Sequence, residues 1–200
     1  NKDFLVEQAS KMYKELSKET DEFFTFMRKY ELLDLEARAG KAGGGYMTSF
    51  PKYKAPFIFA NFNGTSGDVD VLTHEVGHAF QGYMSRNIKC PDYRMPTLEA
   101  CEMHSMSMEF LTYPWMKLFF GENEEKYRYA HLVDAITFIP YGVAVDEFQH
   151  FVYENPEVTH KERCAKWREI EKKYLPHRKY DESEFLDNGG YWMRQSHIFG

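Results

Sequence analysis

The sequence predicts a mainly α-helical protein with a small β-sheet. Apolar residues recur at helical spacing through most of the 200 residues, as expected for helices that bury one face. Against that background residues 55–62 (A-P-F-I-F-A-N-F) are aromatic, β-rich and too short for a helix, which reads as a strand. Glycine clusters at 40–45 and 63–67 separate the two kinds of segment.

The elements follow in order. Between residues 5 and 35 Leu5, Ala9, Met12, Leu16, Phe23, Met27 and Tyr30 mark one long amphipathic helix or two in succession. The run G-K-A-G-G-G at 40–45 breaks the pattern, and Tyr46 to Phe50 is a candidate partner for the 55–62 strand, which is expected at a sheet edge. After the turn at 63–67, Ser66 or Asp68 is available to cap a helix over 68–86. Pro91 and Pro96 frame a connector. Thr97 then opens a helix to about 120 that Pro114 should bend. A helix over 122–153 should break or kink near Pro140 and Gly142. Thr159-His160-Lys161-Glu162 is a capping box for a helix over 159–174. Loops and short elements follow Pro176.

Bulk properties narrow the function. A hydrophobic share of 43% and an aromatic share of 17% belong to an ordered core. A net charge of −6 with no basic cluster argues against nucleic-acid binding. Three cysteines, Cys90, Cys101 and Cys164, fit buried thiols in a reducing compartment better than a disulfide framework. No signal peptide or long uncharged apolar run is present, so a cytoplasmic protein without membrane contact is expected. The length suits one domain over 1–200, or part of one. The start at Asn1 without Met, already in a helical pattern, suggests a piece of a larger protein.

Residues 73–79 read T-H-E-V-G-H-A. On a helix, positions i and i+4 share a face, so His74 and His78 can offer two imidazole nitrogens to one Zn²⁺. Glu75 is rotated off that axis and suits a general base. The plainer alternative is two partly exposed histidines on a surface helix. Val71, Leu72, Val76, Ala79, Phe80 and Tyr83 weigh against it, because they make the helix deeply packed. Gly77 costs about 1 kcal/mol relative to Ala inside a helix, which a close backbone or ligand approach would explain. Asp70, one turn before His74, either orients an imidazole or faces the helix dipole. A catalytic zinc needs a third protein ligand. The metzincin continuation is excluded, since Gln81 and Met84 stand where Gly and His would be required. A carboxylate from the next helix remains, where Glu99, Glu102 and Glu109 share one stripe with Met106, and spacing alone does not select among them.

His74-Glu75-Val76-Gly77-His78 followed by Glu102-Met103-His104-Ser105 and Glu109 resembles the thimet oligopeptidase and oligoendopeptidase F family of zinc peptidases. The upstream G-G-G-Y and A-P-F-I-F-A-N-F-N-G-T extend the likeness. So do the later E-F-L-T-Y-P-W-M, I-P-Y-G-V-A-V-D-E-F-Q-H and R-Q-S-H-I-F-G. The resemblance covers most of 40–200 and is closer to the oligoendopeptidase F branch.

It implies a zincin-like helical catalytic core holding one Zn²⁺ per chain on His74, His78 and Glu102, with Ser105 and Glu109 trailing the ligand. The activity implied is endopeptidase cleavage of oligopeptides through a zinc-activated water, with Glu75 as general base. His197 is the implied donor to the substrate carbonyl. Gly44, Gly45, Tyr46, Phe59 and Ala60 are the implied substrate contacts, the peptide lying along the 55–62 strand by β-augmentation. Asp70 and Glu109 stand behind the ligands. The family's N-terminal helical portion and its tyrosine-bearing loop are expected outside residues 1–200, so the alternative is a zinc-retaining, non-catalytic peptide-binding fragment. A helical interaction module with an incidental H-E-V-G-H is a third reading.

Other residues carry less. His104, two positions from Glu102, reads as a buried hydrogen-bonded histidine and Cys101 as core. His131 and His150 lack a ligand partner at helical spacing. His177-Arg178 beside Tyr180 reads as a surface loop.

Overall fold

A computed structural model describes residues 1–195 and Ile198. The expected mainly α architecture with a small sheet is present. The chain forms two compact units, residues 1–128 and 129–200.

In the first unit, α1 (Lys2–Leu16) and α2 (Lys18–Lys29) meet at Ser17. The long amphipathic pattern is thus two helices. Ser17 ends the first in an extended conformation and opens the second with a capping box, its hydroxyl accepting from the Thr20 amide. Residues 33–36, expected to continue the helix, instead form β1 (Leu33–Glu36). Glu31 at φ 53° takes the left-handed turn that separates strand from helix.

β2 (Tyr46–Phe50) and β3 (Ala55–Phe62) complete a three-stranded sheet among the described residues, in the order β1-β3-β2. β2 pairs antiparallel with β3, as the sequence suggests, and β1 pairs parallel with it. This corrects one expectation: the 55–62 strand is not an edge strand. It is the central strand, and β1 and β2 are the edges. The physical reason is visible in its composition. A strand apolar on both faces belongs in the middle of a sheet, whereas polar L-D-L-E and Y-M-T-S-F suit edges.

α3 (Gly67–Ser85) packs on β3 and β2 and on α4 (Leu98–Leu111). Its buried residues Val69, Leu72, Val76, Ala79 and Tyr83 follow a 3-4-3-4 spacing and meet Phe23, Met27, Ile58 and Met108 in one core. Ser66 is the N-cap residue but makes no side-chain cap bond. Asp68 instead ties the preceding turn, accepting from the amides of Asn63 (2.9 Å) and Gly64 (2.8 Å).

The approach to α4 explains Gly77. A Cβ there would lie 2.6 Å from the Cα of Ser105 and 2.7 Å from the carbonyl oxygen of His104. Only a residue without a side chain lets the two backbones come this close. α4 stops at Leu111 instead of bending through to residue 120. A 3₁₀ turn holds Pro114 near its start, and a short α5 (Lys117–Phe120) follows.

α6 (Glu124–Glu154) begins in the first unit and ends in the second. It runs on through Pro140, near which the sequence predicts a break or kink; the helix does not break there. In the second unit, α7 (His160–Tyr174) starts with the expected Thr159–Glu162 capping box. Its Trp167 and Ile170 pack with Ala144, Phe148, Val152 and Trp192. α8 (Glu184–Asp187) and a 3₁₀ turn follow. Of the cysteines Cys164 is buried and Cys101 half-buried, but Cys90 is exposed. No helix among the described residues is long and apolar enough to cross a membrane.

Gly77→Ala should lower the unfolding free energy by about 1–3 kcal/mol, because a methyl has no room between the two backbones. Chemical denaturation measures this; an unchanged midpoint would disprove the close packing of α3 on α4.

Candidate metal centre

The site forms where the polar face of α3 meets α4. His74 and His78, one turn apart, stand with their rings edge to face, centroids 4.9 Å apart. The close helix contact at Gly77 lies between them in sequence, so α4 is held against this turn. Glu102 reaches across from α4. Its Oε2 is 3.0 Å from His74 Nε2 and 3.4 Å from His78 Nε2. One ligand atom from each of the three residues lies within 4.8 Å of the other two. A tetrahedron with bonds of about 2.0 Å has edges of about 3.3 Å, so the separations to Glu102 suit one divalent ion. Two imidazoles and a carboxylate are donors that zinc accepts. Glu99 is exposed and not part of the cluster, so the tertiary structure selects within the carboxylate stripe.

Two of the three candidate ligands, His74 and Glu102, have a second partner. Glu109 contacts His74 Nδ1 at 2.6 Å, which turns Nε2 toward Glu102. Ser105 donates its hydroxyl to Glu102 Oε2 at 2.5 Å. Of Asp70 and Glu109, both expected behind the ligands, Glu109 stands behind His74. Asp70 accepts from the Tyr127 hydroxyl at 2.5 Å and lies in the first turn of α3. No local sequence pattern marks Tyr127, which lies 57 residues from Asp70.

Charge is concentrated here, and it splits the two histidines. Burial pulls His74 down, but the Glu109 hydrogen bond and the charges of Glu109, Glu102 and Glu75 outweigh it and raise its pKa. For His78 burial wins. The Glu102 carboxylate opposes it, while His74 and His104 add to the depression.

Glu75 is buried, and burial holds its carboxyl above the ordinary range, with His74 opposing and Glu102 adding. Its Oε2 is shielded from solvent and has no hydrogen-bond partner among the described residues. An orphaned buried carboxylate oxygen beside the three donors is costly for stability, and such groups cluster at functional sites.

Of the expected substrate contacts, Gly45 lies against this acid. A Cβ on Gly45 would lie 3.5 Å from Glu75 Oε1 and 3.6 Å from the Phe59 carbonyl. Tyr46 and Phe59 are paired across the strands and stack, with centroids 4.9 Å apart. Gly44 adopts φ 90°, which glycine accepts without strain. Ala60 is buried, and its carbonyl accepts from Lys41. His197 lies outside the described residues. His104 is exposed, not buried as expected, and its charge acts on His78. His131 is buried, whereas His150 is exposed near Asp146 and His177 is exposed.

The model of Peptidase family M3 matches residues 6–200. The chain is similar to a solved protein provisionally named oligoendopeptidase F, with 63% identity over 100% of this chain and a TM-score of 0.97. It is equally similar to PZ peptidase A, solved with an inhibitor, at 62% identity over 100% of this chain and a TM-score of 0.97. A provisionally named oligoendopeptidase F from Bacillus anthracis is 57% identical over 98% of this chain, with a TM-score of 0.86. The chain spans 35%, 35% and 37% of the lengths of these three proteins. No curated protein matches. With the family model aligned from residue 6 to the last, the chain belongs to Peptidase family M3.

Proposed function

We propose that these residues are part of the catalytic domain of a zinc-dependent endopeptidase that cleaves oligopeptides. The observation that carries the reading is the convergence of His74, His78 and Glu102 beside the unpartnered carboxylate oxygen of Glu75. His74, His78 and Glu102 would hold one zinc. A zinc ion bound there supplies a Lewis acid that polarises the scissile carbonyl and lowers the pKa of water toward about 7.

Glu75 takes a proton from water and passes it to the leaving amine nitrogen. Its raised pKa suits both steps, because a base that must also return its proton works best near the ambient pH. Glu109 keeps His74 in the tautomer and orientation that leave Nε2 free to bind. Gly45 brings backbone close to the base and to the Phe59 carbonyl, and the next residue, Tyr46, stacks on the Phe59 ring.

An extended peptide is expected along β2, the edge strand nearest Gly45, because β3 has partners on both sides. His197 is assigned to the substrate carbonyl on the resemblance alone. Free cysteines fit a cytoplasmic setting.

Two substitutions in the full-length protein test this. Glu75→Gln should retain stoichiometric zinc by elemental analysis while kcat for a quenched-fluorescent peptide falls on the order of 10²–10⁴-fold. Retained turnover would refute the base. Glu102→Ala should weaken zinc affinity by at least about 10–100-fold, and Glu99→Ala should leave it unchanged; the reverse order would refute the ligand set. If the unaltered protein binds zinc and peptides but cleaves none, it is a peptide-binding relative.

A further inference from the structure

The glycine loop before β2 is held by two side chains the mechanism has not used. Lys41 has only 2% of its side chain exposed. Its ammonium reaches four oxygens: Asp34 O and Asp34 Oδ1 at 3.1 Å each, Glu36 O at 2.9 Å and Ala60 O at 2.5 Å. It also lies 4.4 Å from the centre of the Phe59 ring.

The sheet explains why carbonyls are available there. The β1–β3 register runs Asp34↔Phe59 and then Glu36↔Phe62, so β3 carries one more residue than β1. Such a bulge takes backbone groups out of the regular ladder, and a buried carbonyl needs another donor. The Lys41 ammonium supplies it for both strands. The extra stretch of β3 also contains Asn61, whose side-chain amide donates to Ala42 O and Gly44 O, each at 2.9 Å. The loop is thus fastened at residues 41, 42 and 44, and the next residue, Gly45, abuts Glu75.

Asp34 completes the fastening from the other side. Arg38 grips both of its carboxylate oxygens, at 2.6 and 2.8 Å, and Lys41 adds to this. Together they hold the Asp34 carboxyl down at about 2 against the effect of burial, so it stays ionised.

We infer that Lys41 and Asn61 are positioning residues that clamp the 41–45 loop to the β3 bulge and so fix the backbone facing the general base and the peptide. The inference rests on the metallopeptidase reading above. Neither residue touches the reacting atoms; both act through the loop. A displacement of about 1 Å of such backbone is enough to cost about 10²-fold in turnover.

The test uses Lys41→Met, which keeps the stem and removes the ammonium, together with Asn61→Leu and the double variant, in the full-length enzyme. Each single variant should lower kcat/KM by about 10- to 100-fold with zinc content at the wild-type level. Amide exchange at 42–46 should quicken in both. Because both release one loop, the double variant should fall well short of the product of the single losses.

Should Lys41→Met not fold, Asn61→Leu decides alone, since it leaves the buried ammonium in place. Wild-type kcat/KM in the variants overturns the clamp while the peptidase reading stands. So do losses that multiply. A wild-type enzyme inert toward every peptide overturns both.

Discussion

The approach of two helix backbones at Gly77 is the constraint on which the site depends. Where α3 passes α4, no side chain fits between residue 77 and the Ser105 backbone. A pair of helices held this closely leaves short carboxylate side chains on one able to reach imidazoles on the other. Glu102 meets His74 and His78 and Glu109 meets His74 in this way. With a larger residue at 77 the helices would separate by about the thickness of a methyl group, and the polar contacts would lengthen with them. The glycine therefore costs helix propensity and secures ligand geometry.

The electrostatics of the site suit the cation proposed for it. Glu75, Glu102 and Glu109 all act on the His74 imidazole, on a helix pair whose core side packs with apolar residues. Carboxylates gathered there repel one another and are costly to desolvate. The two histidines move in opposite directions: the carboxylates raise His74 against its burial, while burial lowers His78 against Glu102. Glu75 remains with one oxygen unpartnered. A divalent ion between His74, His78 and Glu102 would relieve the repulsion and favour both imidazoles in the neutral form that metals bind.

The sheet supports the site from the other flank. β3 is central, its backbone shared between β1 and β2, so its contribution is to place Phe59 and the bulge that receives Lys41. The edges are left to β1 and β2, and the first residue of β2, Tyr46, directly follows Gly45. The segment that looks most like a substrate strand by composition is thus a structural strand. Its plainer neighbour faces outward.

By itself the sequence determined the local features. Helical periodicity placed the helix carrying His74, Glu75 and His78, the Thr159–Glu162 cap opened α7, and the strand pair at 46–50 and 55–62 followed from residue type. These are set by neighbours within a few residues, which a sequence displays. Where such signals compete, the sequence left the outcome open: Ser17 cutting one long pattern into two helices, β1 emerging from an apparent helix end, and α6 continuing through Pro140. Only the tertiary structure decided the order of strands, the place of Glu109 behind His74, the pairing of Tyr127 with Asp70, and the Lys41 clamp. Each joins side chains or strands from separate elements, and the partner is chosen by packing distance, which spacing along the chain does not encode.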